Sequence, residues 1–115
     1  MRDFREVDVW RKAHELVLAL YQRTDSLPKS EVFGITVQVR RAAIAVPTRI
    51  ADGCGREGDV EFAAQLHKAR AASSELEYLL LLSKDLGYLP SETYEAMRED
   101  VVTVRKMLSG LLRRM

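Results

Sequence analysis

The last quarter of the chain constrains its fold most. Tyr94, Met97, Val101, Val104, Leu108, Leu111 and Met115 recur at intervals of three and four without a miss. That period lays one apolar stripe along an α-helix and is incompatible with a strand, whose faces alternate at every second residue. Three earlier stretches repeat the pattern. The first runs from about Asp8 to about Ser26 through Val9, Ala13, Leu16 and Leu20, and Leu27-Pro28 ends it. The second runs from about Ser30 through Ile35, Val39, Ala42, Val46 and Ile50, until Gly53, Gly55 and Gly58 dissolve the period. The third and longest begins at Asp59, places Phe62, Leu66, Ala69, Ser73, Leu76, Leu80 and Ser83 on one side, and stops at Gly87 and Pro90. Asp8, Ser30, Asp59 and Ser91 stand where side-chain N-caps are predicted.

Four amphipathic helices joined by loops of a few residues pack most economically as antiparallel neighbours. The predicted fold is therefore all-α, an up-down-up-down antiparallel four-helix bundle formed by one domain over residues 1–115. The run Tyr78-Leu79-Leu80-Leu81-Leu82 is apolar all the way round the third helix, more than a one-sided stripe requires. Tyr78, Leu79, Leu81 and Leu82 are accordingly expected to meet a second subunit; a helix central to its own bundle is the alternative.

Charge narrows the partners. A formal net charge of +1 gives no strong overall field, so any attraction to nucleic acid must come from local patches. The longest apolar run falls far short of the roughly 20 residues of a membrane helix. No charged-then-apolar leader opens the chain at Met1-Arg2-Asp3, and the lone Cys54 has no internal disulfide partner, so the expected compartment is the cytoplasm.

Spacing argues against each catalytic and metal motif that the chain partly spells. Gly53, Gly55 and Gly58 fit G-x-G-x-x-G, but they follow a helix rather than a strand, which makes them a helix end and a turn instead of a pyrophosphate cradle. His14-Glu15 begins a zinc motif that Leu18 breaks, since a second histidine is needed one turn on. A carboxylate-bridged di-iron centre needs glutamate three residues before histidine, and Arg11 and Ala64 occupy those positions ahead of His14 and His67. Cys54 lies near Arg56, yet no positioned base accompanies it, and a small packing residue is the simpler reading. No metal, no cofactor and no enzymatic activity are predicted.

The segment from Arg40 to Arg56 is the most unusual. Pro47 stands inside a predicted helix, where it removes one backbone hydrogen bond and crowds the preceding turn, and so predicts a bend. Gln38, Arg41, Ala45, Arg49, Asp52 and Arg56 fall along one stripe beside the apolar face of Ile35, Ala42, Val46 and Gly53. Arginine suits planar, multidentate partners, so Arg40, Arg41, Arg49 and Arg56 are candidates for gripping phosphate; bridging carboxylates such as Asp52 or Glu75, within a subunit or across two, is the structural alternative. A second basic cluster closes the chain, where Arg105, Lys106, Arg113 and Arg114 face no acid from residue 105 onward. Cations suit a helix C-terminus, and they equally suit a phosphate backbone.

The order of several short motifs carries a resemblance: W-x-x-A-H-E-L at Trp10–Leu16, Q-V-R-R-A-A at Gln38–Ala43, a proline before R-I-A-D-G-C-G-R at Arg49–Arg56, E-F at Glu61-Phe62, S-S-E-L-E-Y at Ser73–Tyr78 and D-L-G-Y-L at Asp85–Leu89. Together they resemble the four-helix-bundle proteins encoded in intervening sequences of bacterial 23S ribosomal RNA genes, over nearly the whole chain. Gln38, Arg41, Pro47, Gly53, Gly55 and Arg56 match that family's central motif, whereas Ala45, Arg49 and Asp52 stand where it usually reads serine, asparagine and glutamate. The resemblance implies a homopentamer. It also implies kinship with the accessory variability determinants of diversity-generating retroelements, which bind nucleic acid and join a reverse transcriptase.

These readings converge on a noncatalytic, homo-oligomeric bundle that associates with RNA, DNA or a nucleic-acid enzyme through basic patches present in several copies. The rival is a structural or protein-interaction module with no nucleic-acid binding, in which Arg41 and Arg49 serve subunit contacts.

Overall fold

A computed structural model describes residues 2–115 and contains four long helices: α1 (Asp8–Arg23), α2 (Ile35–Cys54), α3 (Asp59–Asp85) and α4 (Ser91–Arg113). Single 3₁₀ turns at Phe4–Glu6, Thr24–Ser26 and Lys29–Glu31 lead into or join them, and the described residues contain no strand. Around the bundle α1 packs on α2, α2 on α3, α3 on α4 and α4 back on α1, with the α2–α3 contact the most extensive. The Arg2 amide donates to the Cys54 carbonyl at 2.8 Å, which sets the beginning of α1 beside the end of α2. Arg70, early in α3, reaches Ser109, late in α4, at 3.3 Å. Neighbours therefore run antiparallel, as the short connections require. The longest dimension, 44 Å, is close to the roughly 40 Å expected of α3 at 1.5 Å per residue.

The apolar stripes of all four helices meet in one core. Leu16 and Leu20 of α1, Val39, Val46 and Ile50 of α2, Phe62, Leu66, Leu76 and Leu80 of α3, and Met97, Val101 and Leu108 of α4 are almost completely removed from water. Each of these twelve positions belongs to the helical period of the sequence, because that period is what gathers side chains onto one face.

The helix starts differ from the predicted caps. Asp8, Asp59 and Ser91 are the first helical residues rather than the caps, the preceding positions being Val7, Gly58 and Pro90, and none of these three cap positions makes a side-chain capping bond. Asp8 pairs with Arg11 and Asp59 with Arg2 instead. A carboxylate in the first turn still complements the helix dipole. The second helix begins at Ile35 rather than near Ser30: residues 29–31 form a 3₁₀ turn, and Gly34, with φ −108° and ψ −116°, interrupts the helical path. The missing cap comes from Glu31, whose Oε1 accepts the Ile35 amide at 3.3 Å.

Pro47 does not break α2, which continues through it to Cys54. Its ring is buried, and the carbonyl of Ala43 goes without the amide it would otherwise receive. Gly53 explains the closeness of α2 and α3. A Cβ built there would lie 3.0 Å from both Gln65 Cβ and Phe62 Cδ1, so glycine is what the helix separation demands. Gly58 has φ +81° and turns the chain into α3.

Candidate functional site

The α2 stripe lies on the surface, and its arginines separate into distinct roles. Arg40 is held inside the subunit: its guanidinium donates to Thr24 Oγ1 at 3.0 Å, to the Tyr21 carbonyl at 3.3 Å and to Asp25 at 3.0 Å, and rests 4.4 Å from the Tyr21 ring centroid. It ties α2 to the turn that ends α1. Arg56 donates to Asp52 at 3.0 Å, one helical turn back, while Arg49 stands at the 4.0 Å limit of an ion pair with the same carboxylate. The Arg56 guanidinium holds the Asp52 carboxyl below the usual carboxylate range. Gln38 and Arg41 are exposed, and among the described residues no carboxylate lies within ion-pair distance of Arg41.

The motif thus divides into packing and display. Gly53 sets the α2–α3 separation, Pro47 is buried, and Gly55, with φ −80°, uses no special conformation at the helix end. Cys54 is 1% exposed, and burial pushes its thiol pKa up, the opposite of an activated nucleophile. No cluster of three metal-ligating side chains occurs among the described residues.

The second basic cluster also splits. Arg105 is bound at 2.6 Å by Glu77 of α3, which Arg98 engages as well at 3.2 Å. Lys106 and Arg113 on the last two turns of α4, and Arg114 just beyond it, remain exposed, without a carboxylate in ion-pair distance among the described residues. Lys106 and Arg114 flank a concavity with Val7, Val9, Met107 and Leu111 at the end of the bundle where α1 begins; its floor is apolar, and its rim carries these two cations and the carboxylate of Asp8, which Arg11 engages.

The run from Tyr78 to Leu82 contributes less free surface than its composition predicts. Leu80 is core, Leu79 and Leu82 pack against that core half-buried, and Tyr78 and Leu81 stay exposed, at 59% and 36%. The sequence does not advertise a second apolar surface, a groove between α1 and α2. It consists of two concavities of about 380 and 390 Å³ that share Ile44, one holding Trp10, Val17 and Pro47, the other Tyr21, Val37 and Arg41. Its residues range from buried Pro47 through half-buried Trp10, Val17 and Val37 to exposed Ile44 and Tyr21, and neither helix alone shows a second apolar stripe.

Among the described residues no helix is long and apolar enough to cross a membrane. No curated protein matches the sequence. Among solved structures, the chain is similar to a protein of unknown function from the S23 ribosomal protein family of Bacteroides thetaiotaomicron, with a TM-score of 0.84 at 21% identity, covering 91% of this chain and 95% of that one. At that identity the likeness establishes the fold. The model of the 23S rRNA-intervening sequence protein family matches residues 5–110, which includes all four helices up to Gly110, the α2 motif and Arg105 and Lys106. The chain is thereby a member of the 23S rRNA-intervening sequence protein family.

Proposed function

We propose that this protein is a noncatalytic, cytoplasmic homo-oligomer, of five subunits as the family resemblance implies, that associates with RNA or DNA as an adaptor. The observation that carries this reading is the basic end of the bundle, where Lys106, Arg113 and Arg114 are exposed and have no ion-pair partner among the described residues. Phosphate contacts are additive, and displacing condensed counterions makes them salt-dependent. Several copies of a three-cation patch on one assembly add by avidity, which offsets the small net charge of each chain. Arg41, Arg49 and Arg56 lie on a different helix and belong to this surface only if the assembly brings them alongside it. A reverse transcriptase is the protein partner that the retroelement kinship suggests.

Fluorescence anisotropy with structured RNA and DNA across a salt series tests the reading. Binding should fall steeply with salt, and Lys106→Ala, Arg113→Ala and Arg114→Ala together should weaken it about tenfold or more, regardless of sequence. Salt-insensitive binding, or none, removes the adaptor role. The α1–α2 groove then favours the second reading, a protein-interaction module, because an apolar groove of this kind suits a protein partner better than a phosphate backbone.

A further inference from the structure

α3 carries two heptad seams, and the bundle uses one. The inner seam is Phe62, Leu66, Ala69, Ser73, Leu76, Leu80 and Ser83. On the opposite side, Val60, Ala64, His67, Ala71, Ser74, Tyr78 and Leu81 alternate at intervals of four and three, and every one of them is exposed. A stripe of about 32 Å along a solvent-facing helix would ordinarily carry charge; this one contains no Asp, Glu, Lys or Arg. Charges flank it instead at the positions that border a coiled-coil seam, among them Glu61, Lys68 and Glu75. Ala64, Ala71 and Ser74 at its centre allow a neighbouring helix to approach closely.

We propose that this outer seam of α3 docks into the α1–α2 groove of a second copy of the same chain, head to tail. The inference rests on the self-association in the proposed function and names the two surfaces that make it. The two faces are complementary in kind. The groove is concave, with Ile44 at its middle and Trp10, Tyr21 and Pro47 along it, and the seam is a single ridge. They are complementary in charge as well: among the described residues neither Arg41 on the groove nor Glu75, exposed beside the seam, has an ion-pair partner. Joining unlike faces buries both on every subunit. An α3–α3 pairing about a two-fold axis would cover the seam and leave the groove wet. Head-to-tail contacts close into a ring when the rotation between subunits divides the circle, so a single interface of this kind generates a cyclic oligomer.

The test uses the purified chain without nucleic acid, so its outcome is independent of the adaptor role. Ala71→Glu places a charge in the seam, and Ile44→Glu places one in the groove; both sites are exposed, and circular dichroism verifies that each variant is folded. Light scattering should give an oligomer for the parent and a monomer for each variant alone. An equimolar mixture should form a heterodimer, since one partner retains its groove and the other its seam. Tyr78→Glu, a second seam variant, should behave as Ala71→Glu does. A monomeric parent, a variant that keeps the parent mass, a groove variant that stops at a dimer, or a mixture that stays monomeric would each overturn the proposal.

Discussion

Tyr88 and Glu31, 57 residues apart, are joined by a 2.8 Å hydrogen bond from the tyrosine hydroxyl to Glu31 Oε2. The other oxygen of the same carboxylate receives the Ile35 amide at the start of α2. A residue of the α3–α4 turn therefore fixes the group that caps α2. The tyrosine of the D-L-G-Y-L motif has a structural role, clamping two loops at one end of the bundle.

Tyr88→Phe should remove that clamp, lower Tm by about 3–5 °C, and increase hydrogen exchange at the Ile35 amide. Donation to Glu31 raises the Tyr88 pKa. A raised folded pKa contributes stability that is complete below the ordinary tyrosine value of about 10 and is lost as pH rises through the folded value. The parent should therefore lose stability above pH of about 10 more steeply than Tyr88→Phe does, as thermal melts at a series of pH values would read.

Gly53→Ala should destabilise the bundle although alanine is the better helix former. Overpacking against Gln65 and Phe62 costs about 1–3 kcal/mol, whereas helix propensity returns about 1 kcal/mol. A net loss should appear in urea unfolding. Gly58→Ala meets no neighbour within 4 Å, and its loss, about 1–3 kcal/mol, comes from the backbone alone, since φ +81° with ψ 157° is a conformation nearly confined to glycine. Pairing Gly53→Ala with a smaller residue at Phe62 should recover part of its loss, and no such rescue should exist for Gly58→Ala.

Cys54 should resist thiol reagents in the folded protein. It is buried and its pKa is raised, so labelling at pH 8 should be at least about a hundredfold slower than in denaturant. Rapid labelling of the native chain would contradict this burial and revive the thiol as a reactive group.

Arg40 and Arg114 should separate structural from displayed arginines. Arg40→Gln breaks the bonds to Thr24, Tyr21 and Asp25 and should cost about 1 kcal/mol, with nucleic-acid affinity unchanged. Arg114→Ala should leave Tm within about 2 °C of the parent and weaken binding, because it holds no intramolecular partner among the described residues. The opposite pattern would place the ligand surface on α2.

The sequence by itself determined the helices and the core. The three-and-four periods marked the large, fully buried aliphatics of the four stripes, though not Ala43, and the cap candidates Asp8, Asp59 and Ser91 put three helix starts within a residue of their places. Periodicity is a local property, legible wherever one face of a helix must be dry. The start of α2 escaped it because the Glu31 cap depends on the distant Tyr88, and a hydroxyl 57 residues away leaves no mark on local pattern. Only the tertiary structure sorted the arginines: identical side chains at positions 40 and 41 end respectively in a network and in water, according to what α1 presents to each. The α1–α2 groove and the separation that requires Gly53 likewise exist only between helices, since contact across a bundle is set by which faces the fold brings together.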